Sequence, residues 1–152
     1  MSEDSRAVRL HRVLRAPPDR VYRAFVEADA LERWLPPHGF VGRIHEMDAR
    51  VGGGYRMSFT NFSTGSSHSF SVSFSELEPG ERIRFTDRFD DPNLPGEMQV
   101  SVDLKPVLGG TELTIVQAGI PSAIPLEMCY LGWQESLGML AIVVEPDIPD
   151  GA

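Results

Sequence analysis

The middle of the chain, residues 40–117, alternates apolar and polar side chains. Residues 68–77 show the pattern most cleanly, because Phe70, Val72 and Phe74 are separated by single serines. Successive side chains of a β-strand point to opposite faces of the sheet, so this period places one apolar row against a core and one polar row in water. The alternation therefore predicts antiparallel strands that bury only one face.

Short turn-forming segments separate the alternating runs. They are Thr64-Gly65-Ser66, Pro79-Gly80, residues 92–96 and Gly109-Gly110. Gaps of this length join neighbouring antiparallel strands, so the order predicts a meander of about six strands. Three glycines at positions 52–54 stand just before a strand, where we expect a bend or a bulge.

The residues before position 40 predict a strand and two short helices. Residues 7–16 mix apolar and basic side chains in near alternation and end at two prolines, which favours a strand. Pro18 suits the first turn of a helix. Asp29 is expected to cap a second helix that ends near Leu35.

A longer helix is predicted for residues 127–145, where apolar side chains recur on one face. These are Trp133, Leu137, Leu140, Ala141 and Val144. The whole order predicts an α+β fold, in which a curved antiparallel sheet of about six or seven strands carries two short helices after the first strand and a long C-terminal helix across its apolar face. We expect one domain over residues 1–152, with its core at about 8–145 and a frayed C-terminal tail.

A cavity is expected between the sheet and the last helix. That helix would span roughly 28 Å, but a straight rod cannot touch all of a concave surface. The alternative is a solid core. The candidate ligand-binding residues are the side chains that would face the cavity, namely Tyr55, Met57, Phe59, Asn61, Phe70, Val72, Phe85, Asp87, Met98, Val100, Trp133 and Leu137.

Polar residues in the apolar row are the most informative of these. Asp87 stands between Phe85 and Phe89, and an unpaired buried carboxylate is costly. We expect Asp87 to be exposed at a strand end, paired with an arginine (Arg12 or Arg88), or facing a ligand. Asn61 and His68 share the apolar row as well, but both lie near the turn at Gly65, which favours solvation.

Charge and cysteine content limit the partners. The formal net charge of −8 argues against nucleic acid and against an anionic membrane surface, because both need clustered Lys and Arg. No secretory signal is recognisable, and no apolar run reaches the roughly 18 residues of a membrane span. The single cysteine, Cys129, cannot form an internal disulfide, so we expect a cytoplasmic protein.

No catalytic constellation is recognisable. His11, His38, His45 and His68 lack metal-ligand spacing with each other or with Cys129, and neither a nucleophile elbow nor a phosphate loop is present. Cys129, near the start of the last helix, is expected to be either a dipole-stabilised thiolate or an idle thiol. We therefore expect no catalytic residue, no metal and no cofactor.

The leading hypothesis is non-catalytic binding of a small hydrophobic or amphipathic molecule. The second is a cyclase- or hydrolase-like enzyme in the same cavity, with Asp87, Tyr55 or His68 moving protons. The third is a protein-interaction or chaperone-associated stress-response module. A homodimer or partner interface is expected through three apolar residues opposite Trp133 on the last helix, with loop packing as the alternative; they are Leu131, Met139 and Ile142.

Five segments resemble the successive blocks of one family, namely RVLRAPPDRVYRAFVEADALERWL, DARVGGGYR, LEPGERIRFTD, VLGGTELTI and GWQESLGMLAIVVE. Over residues of about 8–145 the chain resembles the activator-of-Hsp90-ATPase-like family of the START-like (SRPBCC, helix-grip) superfamily. The resemblance implies a helix-grip fold, which serves ligand carriers, cyclases, hydrolase-like enzymes and co-chaperone domains. The eukaryotic co-chaperone is similar only through its C-terminal domain, so a chaperone partner is the weaker expectation.

Overall fold

The alternating segments form one curved antiparallel sheet covered on one face by helices, in a computed structural model that describes residues 6–150. The elements in chain order are β1 (Ala7–Leu14), α1 (Pro18–Val26), α2 (Ala28–Trp34), β2 (Phe40–Asp48), β3 (Gly54–Asn61), β4 (Ser67–Glu78), β5 (Arg82–Phe89), β6 (Met98–Val107), β7 (Gly110–Ala118) and α3 (Leu126–Val144). Residues 1–5 and 151–152, which include the end of the tail expected to fray, lie outside the described residues.

The sheet has the strand order β1-β7-β6-β5-β4-β3-β2, with every neighbouring pair antiparallel. Strands β2 to β7 form the predicted meander, and β1 pairs with β7 from Ala7 opposite Ala118 to Leu14 opposite Thr111. The α+β helix-grip prediction is confirmed. In the chain, α1 and α2 lie between β1 and β2, and α3 follows β7. No helix interrupts the meander, so all three can lie on the apolar face.

Of the bend or bulge expected at the three glycines, the structure has the bend. Gly52 and Gly53 belong to the turn from β2 to β3, and Gly54 begins β3, whereas register shifts occur between Ile44 and Glu46 and between Phe74 and Glu76. Position 54 requires glycine because β3 and β4 approach closely there, and a Cβ would lie 1.8 Å from the Val72 carbonyl oxygen. Gly54 therefore marks close contact between strands and not an inserted residue.

The two short helices cover one end of the sheet. Trp34 at the end of α2 is fully buried, and its Nε1 donates to the Ala24 carbonyl of α1 at 2.8 Å. Asp29 does not cap α2, because the helix begins at Ala28 and its cap position is Glu27, two residues before Asp29. Asp29 lies instead in the first turn, where an acid still favours the helix dipole.

Helix α3 is buried over only part of its length. Its fully buried residues are Ser136, Leu137, Leu140 and Val144, and none precedes Ser136. Helix α3 packs against α1, α2 and β1, and the Ser136 hydroxyl donates to the Leu35 carbonyl at the end of α2 at 2.6 Å. The N-terminal half of α3 therefore extends past the region of tight packing, over the other end of the sheet.

The apolar residues on the outer side of α3 differ from one another in exposure. Leu131 is 57% exposed and Ile142 is 65% exposed, whereas Met139 packs against the core. Of the three residues predicted to form a homodimer surface, Met139 is therefore not exposed, whereas Leu131 and Ile142 are. None of the helices within residues 6–150 could span a membrane.

A candidate binding cavity under the last helix

A cavity of about 320 Å³ lies between the sheet and the N-terminal half of α3. The strands contribute Tyr55, Phe59, His68, Phe70, Phe85, Asp87, Phe89, Met98 and Gln117. The helices and loops contribute Leu35, Pro37, Ile120, Ile124, Met128, Cys129, Gly132, Trp133 and Ser136. His68 and Met128 are exposed to solvent, so they lie where the cavity opens. The lining is largely aromatic and aliphatic, with a few polar groups.

Seven of the twelve candidate residues line this cavity. They are Tyr55, Phe59, Phe70, Phe85, Asp87, Met98 and Trp133. Alternation places these strand side chains on the apolar face, and curvature of the sheet keeps them away from the straight helix.

Four other candidates belong to the solid core: Met57, Val72, Val100 and Leu137. Val72 lies in register between Tyr55 and Asp87, and Val100 lies between Phe85 and Gln117, so longer side chains flank each short one. Met57 lies under Pro36 and β2, and Leu137 belongs to the tightly packed half of α3. These four side chains lie on the same faces as the cavity residues, but they do not line the cavity.

Asn61 also lies outside the cavity. Its Oδ1 accepts the backbone N–H of Ser63 at 2.9 Å, which stabilises the turn between β3 and β4. The solvated alternative expected near this turn applies to Asn61. His68 differs from that expectation in part, because its exposed side chain also forms part of the cavity lining.

Gln117 is a polar cavity residue that sequence reasoning missed, as is Ser136. Its Oε1 accepts hydrogen bonds from Trp133 Nε1 at 2.8 Å and from Cys129 Sγ at 3.2 Å, so it links β7 to α3. Gln117 follows Leu113 and Ile115 in the apolar row of β7. A polar residue in that row was the signal that could have identified it.

Little in the sequence indicated that Gly132 and the loop before α3 would line the cavity. Gly132 stands between Cys129 and Ser136 on the helix face that lines the cavity, and a Cβ added there would meet no atom within 4 Å.

The loop before α3 is positioned by Arg6, whose guanidinium donates to the carbonyls of Ile120 and Pro121 at 3.0 Å each and to that of Ile124. No periodicity in residues 119–125 could have predicted this contact.

The Asp87 carboxyl faces the cavity without a cation beside it. Its Oδ1 is buried and has no hydrogen-bond partner among residues 6–150. Burial raises the pKa of the Asp87 carboxyl to about 7, and a backbone hydrogen bond from Arg88 acts in the opposite direction. This carboxyl therefore titrates near neutral pH.

Neither arginine expected to pair with Asp87 does so. The Arg88 Nη1 atom lies 3.6 Å from Glu97 Oε2, and Arg12 Nη2 donates to Gln134 Oε1 at 3.0 Å. Both side chains are engaged away from the cavity. Of the three expectations for Asp87, pairing with Arg12 or Arg88 is wrong, and the carboxyl faces the cavity.

The neighbouring titratable groups stay protonated. Burial, followed by the charge of Asp87, raises the pKa of the Tyr55 hydroxyl. Burial and then Asp87 also raise the pKa of the Cys129 thiol to about 11, while the positive charge of Arg6 lowers it. A dipole-stabilised thiolate at Cys129 is therefore the wrong alternative, because desolvation and the nearby carboxyl outweigh the favourable charges.

Comparison with known families identifies the chain. The family model described as activator of Hsp90 ATPase homolog 1-like protein matches residues 15–145. The chain belongs to this family. The resemblance drawn from the five sequence segments is confirmed.

Solved structures share the fold of this activator of Hsp90 ATPase homolog 1-like chain. Protein CV1439 from Chromobacterium violaceum is 59% identical, with a TM-score of 0.93 over 94% of this chain and 99% of that one. The AHSA1 protein from Silicibacter pomeroyi is 20% identical, with a TM-score of 0.76 over 90% of this chain and 95% of that one. A protein from Staphylococcus epidermidis is 14% identical, with a TM-score of 0.79 over 97% and 94%. The last two show the fold alone. No curated protein matches the chain.

The chemistry of the cavity in this family member is that of a few polar groups in an apolar lining. Within residues 6–150, no group of three His, Cys, Asp or Glu side chains is placed to hold a metal ion. The Asp87 carboxyl can form a hydrogen bond to a bound molecule, and the aromatic rings can pack against its body.

Proposed function

We propose that this chain binds a small hydrophobic or amphipathic molecule, without converting it, in the cavity between the sheet and the N-terminal half of α3. The observation that carries the proposal is the cavity volume of about 320 Å³ under a helix half that buries no residue completely. Small-molecule sites have volumes of roughly 300–1,000 Å³, mostly apolar walls and a few polar groups. We expect this to take place in the cytoplasm.

The composition of the walls supports an apolar guest. The rings of Phe59 and Phe70 have centroids 5.1 Å apart and those of Tyr55 and Phe70 6.4 Å apart, both edge to face. Such a wall offers apolar area in a fixed arrangement, while Met98 and Met128 can adapt to the outline of the guest. Burial of the guest against these groups is the expected driving force.

Gly132 supports the proposal from the helix side. The outer glycine of the same helix, Gly138, is exposed, and neither glycine would bring an added Cβ within 4 Å of another group. Leucine at position 132 would extend into the cavity, whereas leucine at position 138 would extend into solvent. Comparing Gly132→Leu with Gly138→Leu therefore isolates the loss of cavity volume, because the change in helix propensity is the same at both sites.

The test is a titration of the wild type, Gly132→Leu and Gly138→Leu with medium-chain alcohols and fatty acids, flavonoid-like aromatics and polyketide-like compounds. Trp133 lines the cavity, whereas Trp34 is fully buried in the core, so a ligand-dependent change in tryptophan fluorescence reports on Trp133. We expect saturable changes in fluorescence and a rise in Tm for the wild type and Gly138→Leu. Gly132→Leu should be folded and should bind at least about tenfold more weakly.

Two results would contradict this function. One is the absence of any response in the wild type across all classes of compound. The other is binding by Gly132→Leu with unchanged affinity, because the site would then lie elsewhere on the molecule.

An enzyme acting in the same cavity is the second candidate, favoured by the Asp87 carboxyl. A carboxyl with a pKa of about 7 in a cavity can act as a general acid or base at neutral pH. Hydrolysis of p-nitrophenyl butyrate by the wild type and Asp87→Asn tests the hydrolase form. Turnover that Asp87→Asn loses would support an enzyme, and equal background rates for both proteins would count against it.

A further inference from the structure

Among the polar groups of the cavity, the Asp87 carboxyl holds an acceptor that has no partner within residues 6–150. The Gln117 Oε1 atom already accepts two hydrogen bonds from α3, and the Gln117 Nε2 amide lies 3.2 Å from Met98 Sδ. The Asp87 Oδ1 atom is buried and unpartnered among the described residues, and its side chain lines the cavity. A bound molecule would therefore meet a free acceptor at Asp87.

A positive charge beside Asp87 would stabilise its carboxylate form. No Lys or Arg lines the cavity in the described part of the chain, so a carboxylate there has no counter-ion of its own. Leaving a buried charge unpaired is costly, and a cationic guest would remove that cost. A neutral guest would leave the carboxyl either unpaired or protonated.

Two further features favour a cation. Aromatic side chains surround the cavity, and the faces of aromatic rings attract ammonium groups. The formal net charge of −8 also favours the approach of cationic molecules from solution.

We propose that the guest is a cationic amphiphile, an aromatic or aliphatic body that carries a protonated amine, and that the ammonium group binds the Asp87 carboxylate. This inference rests on the proposed binding function and names its ligand class. The body would lie against the phenylalanine rings and Trp133, and the ammonium group would supply the donor that Asp87 lacks.

Binding should depend on pH through Asp87. Its pKa of about 7 means that the carboxylate fraction falls as the pH drops below 7, so the affinity for an ammonium ion should fall about tenfold per pH unit there and level off above pH 7. The other ionisable groups around the cavity or acting on its titratable residues are Tyr55, His68, Cys129 and Arg6. Raised pKa values keep Tyr55 and Cys129 neutral in this range, and Arg6 is held by the loop carbonyls.

The experiment compares three molecules with one body and different head groups: phenylbutylamine, phenylbutanol and phenylbutyrate. Titrations at pH 8 follow Trp133 fluorescence, with calorimetry for the dissociation constants. We expect phenylbutylamine to bind about tenfold or more tightly than phenylbutanol, and phenylbutyrate to bind most weakly. The affinity for phenylbutanol should not fall with pH as that for phenylbutylamine does.

Two variants assign the preference to Asp87. Asp87→Asn removes the charge at the cavity, and Glu46→Gln removes one at an exposed position of β2 that does not line it. In Asp87→Asn we expect the amine to lose its advantage over the alcohol and its pH dependence. Glu46→Gln should keep both.

The outcomes separate this inference from the proposed function. Phenylbutanol binding as tightly as phenylbutylamine at pH 8 would overturn the inference and leave the binding function intact. An amine preference retained by Asp87→Asn would also overturn it. No binding by any of the three, or by the wider panel above, would overturn both.

Discussion

At the scale of single residues, polar side chains in an apolar row identified the informative positions. Asp87 was found this way, and Gln117 could have been, because a polar residue on a buried face needs a partner or a ligand. Asn61 had the same signal, but its position next to a turn gave it a local backbone partner. What the sequence could not give was the partners of Gln117, because its bonds to Cys129 and Trp133 depend on how α3 packs on the sheet, which periodicity does not encode.

The first prediction concerns the effect of Asp87 on stability. Its folded pKa is about 7 and its ordinary value is 3.8, so the folded protein retains this proton at pH values where the unfolded chain has lost it. The free energy of unfolding should therefore fall with rising pH over this window, by about 1.4 kcal/mol per unit from this group. Asp87→Asn should be more stable than the wild type by up to about 4 kcal/mol above pH 7, and equal to it near pH 4.

Urea denaturation at a series of pH values measures this difference, with Glu46→Gln as the control that should show no such trend. Asp87→Asn being less stable than the wild type at pH 8 would mean that Asp87 has an ionic partner in the folded protein.

At the scale of elements, the sequence predicted the helices and strands better than the tightness of their packing. The bounds of α3 lie within one residue of the prediction at each end, because its apolar period and the flanking prolines define them. The division of α3 into a tightly packed half and a cavity-covering half has no such signal. It depends on where the straight helix and the curved sheet diverge, which periodicity does not encode.

The second prediction concerns the two glycines of α3 that have no neighbour within 4 Å of a Cβ. Gly132→Ala and Gly138→Ala should each stabilise the protein by about 1 kcal/mol, because alanine has the higher helix propensity and neither methyl group meets another atom. Thermal or urea unfolding compares the two. A destabilising Gly132→Ala beside a stabilising Gly138→Ala would show that the helix lies against the sheet at Gly132, with no cavity there.

At the scale of the whole molecule, the fold could be predicted almost completely and the ligand could not. Alternation, short turns and the order of elements determine a meander with helices on one face, and the family resemblance agrees with them. One fold serves many functions, so the ligand must be argued from the cavity groups. The core positions of Val72 and Val100 show why the cavity was predicted only in part, since side-chain length decided which members of one row reach it.

The third prediction concerns assembly. The homodimer expected from the outer side of α3 stays a prediction, now with exposed Leu131 and Ile142 and without Met139. Light scattering at micromolar concentration should give the mass of two subunits for the wild type and of one for Leu131→Glu, because a charge in an apolar interface is costly. A wild-type mass of one subunit would contradict it.

The most direct test of the central claim is a crystal structure grown with the tightest-binding compound of the panel. We predict electron density for that compound between Trp133 and the sheet, in contact with Phe70 and Phe85 and, for an amine, with its nitrogen within hydrogen-bond distance of Asp87. An N-terminal half of α3 packed flush against the strands, with the compound elsewhere on the surface, would contradict the account.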